Sequence, residues 1–448
     1  MEVNPGQFVA IIGGAVAGSE AASRLSDRGI YSVVFEQNTR PYGKIEDGLP
    51  KWHVKLRLQE TKKIDEKLSK SNIFFVPKTK LGRDIQLHDL VNNWGFSAIL
   101  LANGAWKDRE LPIEGINDFI GKGLIYQNPL VRWFNHYHES NYTGEYYNIH
   151  DNAIVIGGGL ASLDVVKILM LETVLLELRK RGIEIDLLQL EKKTISAVLK
   201  EHNLSLSNLG LKGCTLFYRR RKQDMPLAQI PPDATPERKE KTFQSRIKIF
   251  ENFQSKYLFN FCELKYPTGL IVENGLLVGL KFAETEIVNG RPVIIKDNAF
   301  EVRSPLVILS IGSIPEPIPG IDMRGELYEI ADSESGRMHQ YHNVFALGNV
   351  VTGRGNIKAS LTHGRQVSDH VMDYFLAWRA EDYQELLDRG AKDAQLKINK
   401  IAEILSTKNV LGVEKIRSII RKINACQKRV NYNGDYQEWI KIHSVKNG

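Results

Sequence analysis

Six residues near the start of the chain, Gly13-Gly14-Ala15-Val16-Ala17-Gly18, have the spacing to hold a diphosphate. They follow Phe8–Ile12, a β-branched apolar run that reads as a buried parallel strand. They lead into Ser19–Leu25, an alanine-rich stretch of good helix formers. A second apolar run, Tyr31–Phe35, then ends at Glu36, close to the ~20-residue offset expected of an acid that hydrogen-bonds a ribose diol. Gly13 permits the tight turn, a small residue at 15 lets the backbone approach a pyrophosphate, and Gly18 lets helix and strand pack closely. The helix start offers free N–H groups and the positive end of its dipole. Ala15 departs from the usual second glycine; its methyl narrows the gap to a phosphate without closing it.

The pattern occurs twice. Ala153–Ile156 is a second apolar run, followed by Gly157-Gly158-Gly159-Leu160-Ala161-Ser162 and a helical stretch from Leu163. The next convincing strand, Cys214–Tyr218, ends in Arg219-Arg220-Arg221-Lys222 instead of an acid. An acid there suits a free ribose 2′-hydroxyl, whereas arginines accommodate a 2′-phosphate, so this copy favours NADP(H) over NAD(H). The bland alternative is a solvated basic loop. Each half closes on a buried strand and a glycine turn, Ala98–Ala102 into Asn103-Gly104 and Leu306–Ser310 into Ile311-Gly312. Asn274-Gly275 and Asn289-Gly290 mark segment 268–303 as an antiparallel meander crossing the second sheet. Segment 170–213 is Leu-rich, helical and too long for a plain crossover, so it reads as an insertion.

These units need supporting chain, and 448 residues allow two or three domains. No apolar run approaches the ~18 residues that span a bilayer. The start lacks a basic segment before an apolar core, so no signal peptide and a cytoplasmic location are expected. The three cysteines, Cys214, Cys262 and Cys426, lie far apart, which leaves no CxxC pair and no zinc or iron–sulfur spacing; no metal is expected. A net charge of +7 reads as a solvated surface or as a match for an acidic partner such as a small electron carrier. No nucleic-acid motif is present, so nucleic acid is not an expected partner.

From about residue 8 to 376 the chain resembles the adrenodoxin-reductase and glutamate-synthase-small-subunit group of FAD- and NADPH-dependent reductases. Besides the two fingerprints, four stretches carry the likeness: Pro41–Pro50, similar to the family loop beside the flavin; His53; Tyr218-Arg219-Arg220 with Met225-Pro226; and Val344–Asn349 followed by Thr352–Ile357. Asn349 stands where many relatives have Asp. The resemblance implies an α/β fold of two Rossmann-like, three-layer ββα-type dinucleotide-binding domains, the NADP domain inserted in the FAD domain. The FAD domain would comprise 1–115 and 335–376, and the NAD(P)H domain 116–334 with the helical insertion 170–213. A helical C-terminal extension, 377–448, lies outside the likeness. There Ile416, Ile419, Ile420 and Ile423 mark one face of a basic amphipathic helix, which suits packing on the body of the protein or a dimer contact or, as an alternative, an acidic or membrane surface.

The resemblance also implies site residues. The FAD set is Gly13, Gly14, Ala15, Gly18, Glu36, Gly43, Lys44, Gly48, Trp52, Ala102, Gly104, Gly348, Asn349, Gly355, Asn356 and Ile357. The NADPH set is Gly157, Gly159, Leu160, Ala161, Arg219 and Arg220. His53 is a candidate proton relay or acceptor-docking group, and Asp151 aligns with an acid ahead of the second fingerprint in relatives. His363 and Arg365 read as a solvated helix end. The expected activity is hydride transfer from NADPH to FAD, then electron delivery to an external acceptor, a ferredoxin-like protein. Alternatives are an electron-input subunit of a larger enzyme such as glutamate synthase, a flavin monooxygenase (weakened by the lack of an F-x-G-x-x-x-H motif), and a non-catalytic flavin redox sensor.

Overall fold

Phe8–Ile12 carries no polar side chain and becomes the middle strand of a five-stranded parallel sheet, with every residue buried. The computed structural model describes residues 6–140, 142–231, 233–353, 355–376 and 411–444. It divides into two units. The first comprises Met1–Leu49, Val54–Lys107 and Ser313–Gly448; the second comprises Pro50–His53 and Asp108–Gly312.

In the first unit the strands run in the order Val344–Ala346, Ala98–Leu101, Phe8–Ile12, Tyr31–Phe35 and Ile73–Val76, all parallel. Ile12 is in register with Phe35 and Leu101, so three strands end together where the glycine turn begins. Alternation sorts the two faces. Val9 and Ile11 pack under the helices Val16–Asp27 and Ile357–His370, through Ala17, Ala21, Leu25 and Val367. Phe8, Ala10 and Ile12 point to the opposite face, where Leu90, Trp94 and Tyr328 cover them together with the C-terminal helix Val413–Arg429. Ile416, Ile419 and Ile423 of that helix are fully buried, and Arg417 and Arg421 stay in solvent. The amphipathic pattern therefore packs on this unit. The earlier part of the extension, 377–410, lies outside the described residues.

In the second unit the order is Leu124–Tyr126, Val307–Ser310, Ile154–Gly157, Thr215–Tyr218 and Asn260–Glu263, again parallel. The strand before the glycine turn is again central. One face packs on Gln127–His136 and Leu160–Lys180. The other carries the expected meander, Lys265–Glu273, Leu276–Val288 and Arg291–Arg303, whose Phe282 stacks on Phe217 at 4.3 Å. Its two turns are Asn-Gly pairs with positive φ at both residues, the geometry that matches strand twist. Helix Leu160–Lys180 runs unbroken through residue 170; the rest of the helical insertion follows as Leu187–Lys193, Ile195–Glu201 and Leu206–Leu209. Two Rossmann-like units, one carried inside the sequence of the other, match the fold expected. Among the described residues no helix is long and apolar enough to cross a membrane.

Candidate dinucleotide sites

In the first unit the turn admits only glycine where it bends. Gly13 has φ +96°, and a Cβ there would meet the Ala102 carbonyl oxygen at 2.6 Å. A Cβ on Gly18 would run into the Gly13 carbonyl, so helix and strand could not approach. Ala15 is the N-cap of Val16–Asp27; it gives no side-chain cap, and no acid lies in the first turn. The first N–H groups are thus left without a competing carboxylate, which is what an anion requires.

Glu36 is buried, 4% exposed, at the end of Tyr31–Phe35. Its Oε2 accepts from the Gly14 amide and its Oε1 from the Asn38 amide, each at 2.9 Å. Burial pushes the carboxyl up to about 7, against the opposing pull of the backbone donors. The loop after it folds over the fingerprint: a Cβ on Gly14 would meet Pro41 at 2.7 Å, and one on Gly43 would meet the Ala15 methyl at 2.9 Å. Gly43 and Gly48 bracket the short helix Lys44–Asp47. The Lys44 ammonium donates to Ser313 Oγ at 3.0 Å and lies 5.6 Å from the Trp106 ring. Gly104, with φ +70°, turns the chain beside Trp106.

The return segment meets the same turn. A Cβ on Gly348, φ +78°, would strike the Ala17 methyl at 2.7 Å. Asn349 Oδ1 accepts from the Gly355 amide at 2.7 Å, which ties the residue after Gly348 to Gly355. Asn356 Oδ1 accepts from the Ala359 amide at 2.7 Å and caps the helix that Ile357 begins. Arg354 lies outside the described residues.

The second unit repeats the plan with more space. A Cβ on Gly157 would crowd Ser162 Cβ at 2.7 Å, and one on Gly158 would enter the Tyr218 ring. Beside Gly159, the N-cap of Leu160–Lys180, a Cβ would meet no atom within 4 Å. That opening lies next to a helix start with no acid in its first turn. Leu160 is 59% exposed there, an apolar side chain at the mouth of the turn, with Ala161 half-buried beside it. The basic run after Tyr218 divides. Arg221 pairs with Asp224 at 3.0 Å and Lys222 with Glu251 at 3.1 Å. Among the described residues neither Arg219 nor Arg220 has a carboxylate partner.

The two catalytic candidates sit differently. Both Asp151 oxygens accept backbone amides, of Lys212 and Gly213, at 2.8 Å each. That ties the loop ahead of Thr215–Tyr218 to the loop ahead of Ile154–Gly157. His53 is half-buried in the second unit, its ring 6.0 Å from that of Trp52. Trp52 belongs to the same unit: it packs edge-on to Phe134 at 5.2 Å, with the Lys167 ammonium 4.2 Å over its ring.

Three features escaped sequence reasoning. His363 is no solvated helix end; its Nδ1 accepts the Gly348 amide at 3.0 Å, and burial holds its pKa below the usual value, so the neutral ring serves as acceptor. Arg365 pairs with the buried Glu20 and ties Ile357–His370 to Val16–Asp27. Asp164, one turn into the second glycine-turn helix, has its carboxyl raised to about 7 by burial. Near it, Lys167 pairs with Glu191 at 2.5 Å. A lone acid inside Leu160–Leu171, which is otherwise almost apolar, was the available signal.

No family model matches this sequence. A 164-residue stretch is 33% identical to the glutamate synthase (NADPH) small chain of Bacillus subtilis, covering 36% of this chain and 32% of that one. A 166-residue stretch is 32% identical to a protein of Mycobacterium leprae named probable ferredoxin/ferredoxin–NADP reductase, covering 36% and 28%. Over about a third of its length the chain is similar to these two proteins. The similarity bears out the resemblance drawn from the fingerprints, and each match spans about a third of the relative's length. The fold agrees over more of the chain: FprA of Mycobacterium tuberculosis, solved in complex with NADPH, superposes with a TM-score of 0.64 at 18% identity over 90% of both chains.

Proposed function

We propose that this chain is an FAD-dependent NADPH oxidoreductase that delivers electrons to an external, ferredoxin-like acceptor. The observation that carries the reading is the contrast between the two glycine turns. One ends in a buried acid, Glu36, suited to a ribose diol. The other ends in Arg219 and Arg220, which have no carboxylate partner among the described residues and suit a 2′-phosphate. The FAD site would draw on the helix start at Ala15, on Glu36, Gly43, Lys44 and Gly48, on Ala102 and Gly104, and on the 348–357 turn. The NADPH site would draw on Gly157, Gly159, Leu160, Ala161, Arg219 and Arg220. Bound FAD supplies a two-electron acceptor that can release electrons one at a time.

The protein's part is to bind and orient. Helix starts hold the diphosphates, Glu36 fixes the ribose, and buried apolar strands keep water from the back of each turn. Trp52 and His53 are proposed to serve the reacting end of the site, with His53 the proton-handling group. The cytoplasm is the proposed location.

The acceptor is tested by coupling NADPH oxidation to reduction of a purified ferredoxin over a range of ionic strength. With a net charge of +7, the rate to an acidic protein should fall steeply with salt. A rate indifferent to salt, with small quinones preferred, removes the protein acceptor. The match to a glutamate synthase small chain favours one second reading, an electron-input subunit; a large subunit that stays bound through purification would establish it.

A further inference from the structure

The C-terminal segment beyond the family resemblance makes a set of polar contacts that packing alone does not need. Trp439 is 5% exposed, and its indole N–H donates to the Thr39 carbonyl at 2.8 Å. Tyr436 donates to Asp65 Oδ1 at 2.7 Å, and Tyr42 donates to the same carboxylate at 3.0 Å. Thr39 and Tyr42 lie in the loop that starts at Glu36. That loop has no strand or helix of its own until Lys44; backbone bonds from Thr79 to Glu36 and from Lys78 to Asn38 hold its start, and side chains hold the stretch from Thr39 to Tyr42.

Its other side is the fingerprint. Glu36 holds Gly14 and Asn38, Pro41 abuts Gly14, and Gly43 abuts Ala15. The loop is therefore held between the glycine turn and the C-terminal segment. That segment is anchored elsewhere on the unit: Gln427 Nε2 donates to the Phe75 carbonyl at 2.9 Å, and Tyr432 and Tyr436 pack edge-on to Phe75 at 5.8 and 5.1 Å.

We propose that Tyr436 and Trp439 are positioning residues for FAD, clamping the 37–43 loop on the fingerprint turn; the proposal rests on the FAD reading above. A loop fixed before the ligand arrives loses less freedom on binding, so the clamp raises affinity without touching the cofactor. The donor geometry makes this specific. The buried Trp439 indole N–H and the half-buried Thr39 carbonyl satisfy each other, and two phenols share the half-buried Asp65 carboxylate.

The test uses the full-length chain stripped of flavin and titrated with FAD, read by flavin fluorescence quenching and visible circular dichroism. Tyr436→Phe keeps the ring, Trp439→Phe keeps an aromatic side chain of smaller size, and each removes one donor. Each should raise the FAD Kd about fivefold, the worth of one hydrogen bond, and speed FAD release, with NADPH affinity unchanged. Gln427→Leu loosens the same segment away from the loop and should lower the Tm without moving the FAD Kd. FAD affinity that follows Tm across all three variants, or that equals wild type in W439F and Y436F, overturns the clamp while leaving the FAD reading intact. Wild-type protein that takes up no FAD overturns the FAD reading, and the clamp with it.

Discussion

The Gly14 amide nitrogen lies 2.9 Å from Glu36 Oε2, so the acid at the end of one strand is bonded to the turn at the end of its neighbour. Burial raises this carboxyl from 4.5 to about 7. For an acid, a raised folded-state pKa means the folded state favours the protonated form. The stabilisation is complete below about pH 4.5 and is lost as pH rises through about 7, in all about 3 kcal/mol. The stability of flavin-free Glu36→Gln should therefore rise relative to wild type as pH goes from about 4.5 to above 7, measured by urea unfolding across pH, whatever constant offset comes from losing one amide acceptor. A ribose diol donates to the ionised form, so FAD affinity should fall as pH drops below about 7 in wild type and stay flat in the Gln variant, which should bind about tenfold more weakly.

Two glycine-to-alanine changes should separate folding from binding. Gly13→Ala puts a methyl against the Ala102 carbonyl at positive φ and should cost more than ~2 kcal/mol of stability. Gly159→Ala has negative φ and open space, so its stability should stay within ~0.5 kcal/mol of wild type. Its NADPH Kd should nonetheless rise, measured by fluorescence titration, because the methyl would enter the space proposed for the diphosphate. Unchanged NADPH affinity in G159A would move the nucleotide away from this turn.

Arg219→Ala and Arg220→Ala should each weaken NADPH binding about 10- to 100-fold, the loss of a charge-assisted hydrogen bond. NADH binding should change little. Arg221→Ala, which breaks the pair with Asp224, should leave the preference for NADPH in place. Equal losses for both nucleotides would mean that the arginines do not read the 2′-phosphate.

Asp151→Ala removes the acceptor of two backbone amides. It should cost about 1–3 kcal/mol in thermal unfolding. Turnover with NADPH measured well below the Tm should stay near wild type. Lost turnover at full stability would instead make Asp151 a catalytic group.

Most of the architecture was legible because its signals are local. Phe8–Ile12 and Ala153–Ile156 announce buried strands by composition, the glycines mark the turns, and Asn274-Gly275 and Asn289-Gly290 mark the meander. The division of the basic run was not legible: four cations in a row look alike until Asp224 and Glu251 claim two of them. His363 and Arg365 looked like a helix end because their partners, Gly348 and Glu20, are set by tertiary packing; Glu20 lies in a helix hundreds of residues earlier. The bond from Trp439 to Thr39 is longer-range still, and no periodicity encodes it.

Whether two dinucleotide sites in one chain exchange reducing equivalents is decided by anaerobic titration of the FAD-reconstituted protein with NADPH. One FAD per chain is expected, with bleaching of the flavin absorbance by one equivalent of NADPH and NADH far less effective. A chain that takes up no FAD, or a bound flavin that NADPH leaves oxidised, would contradict it.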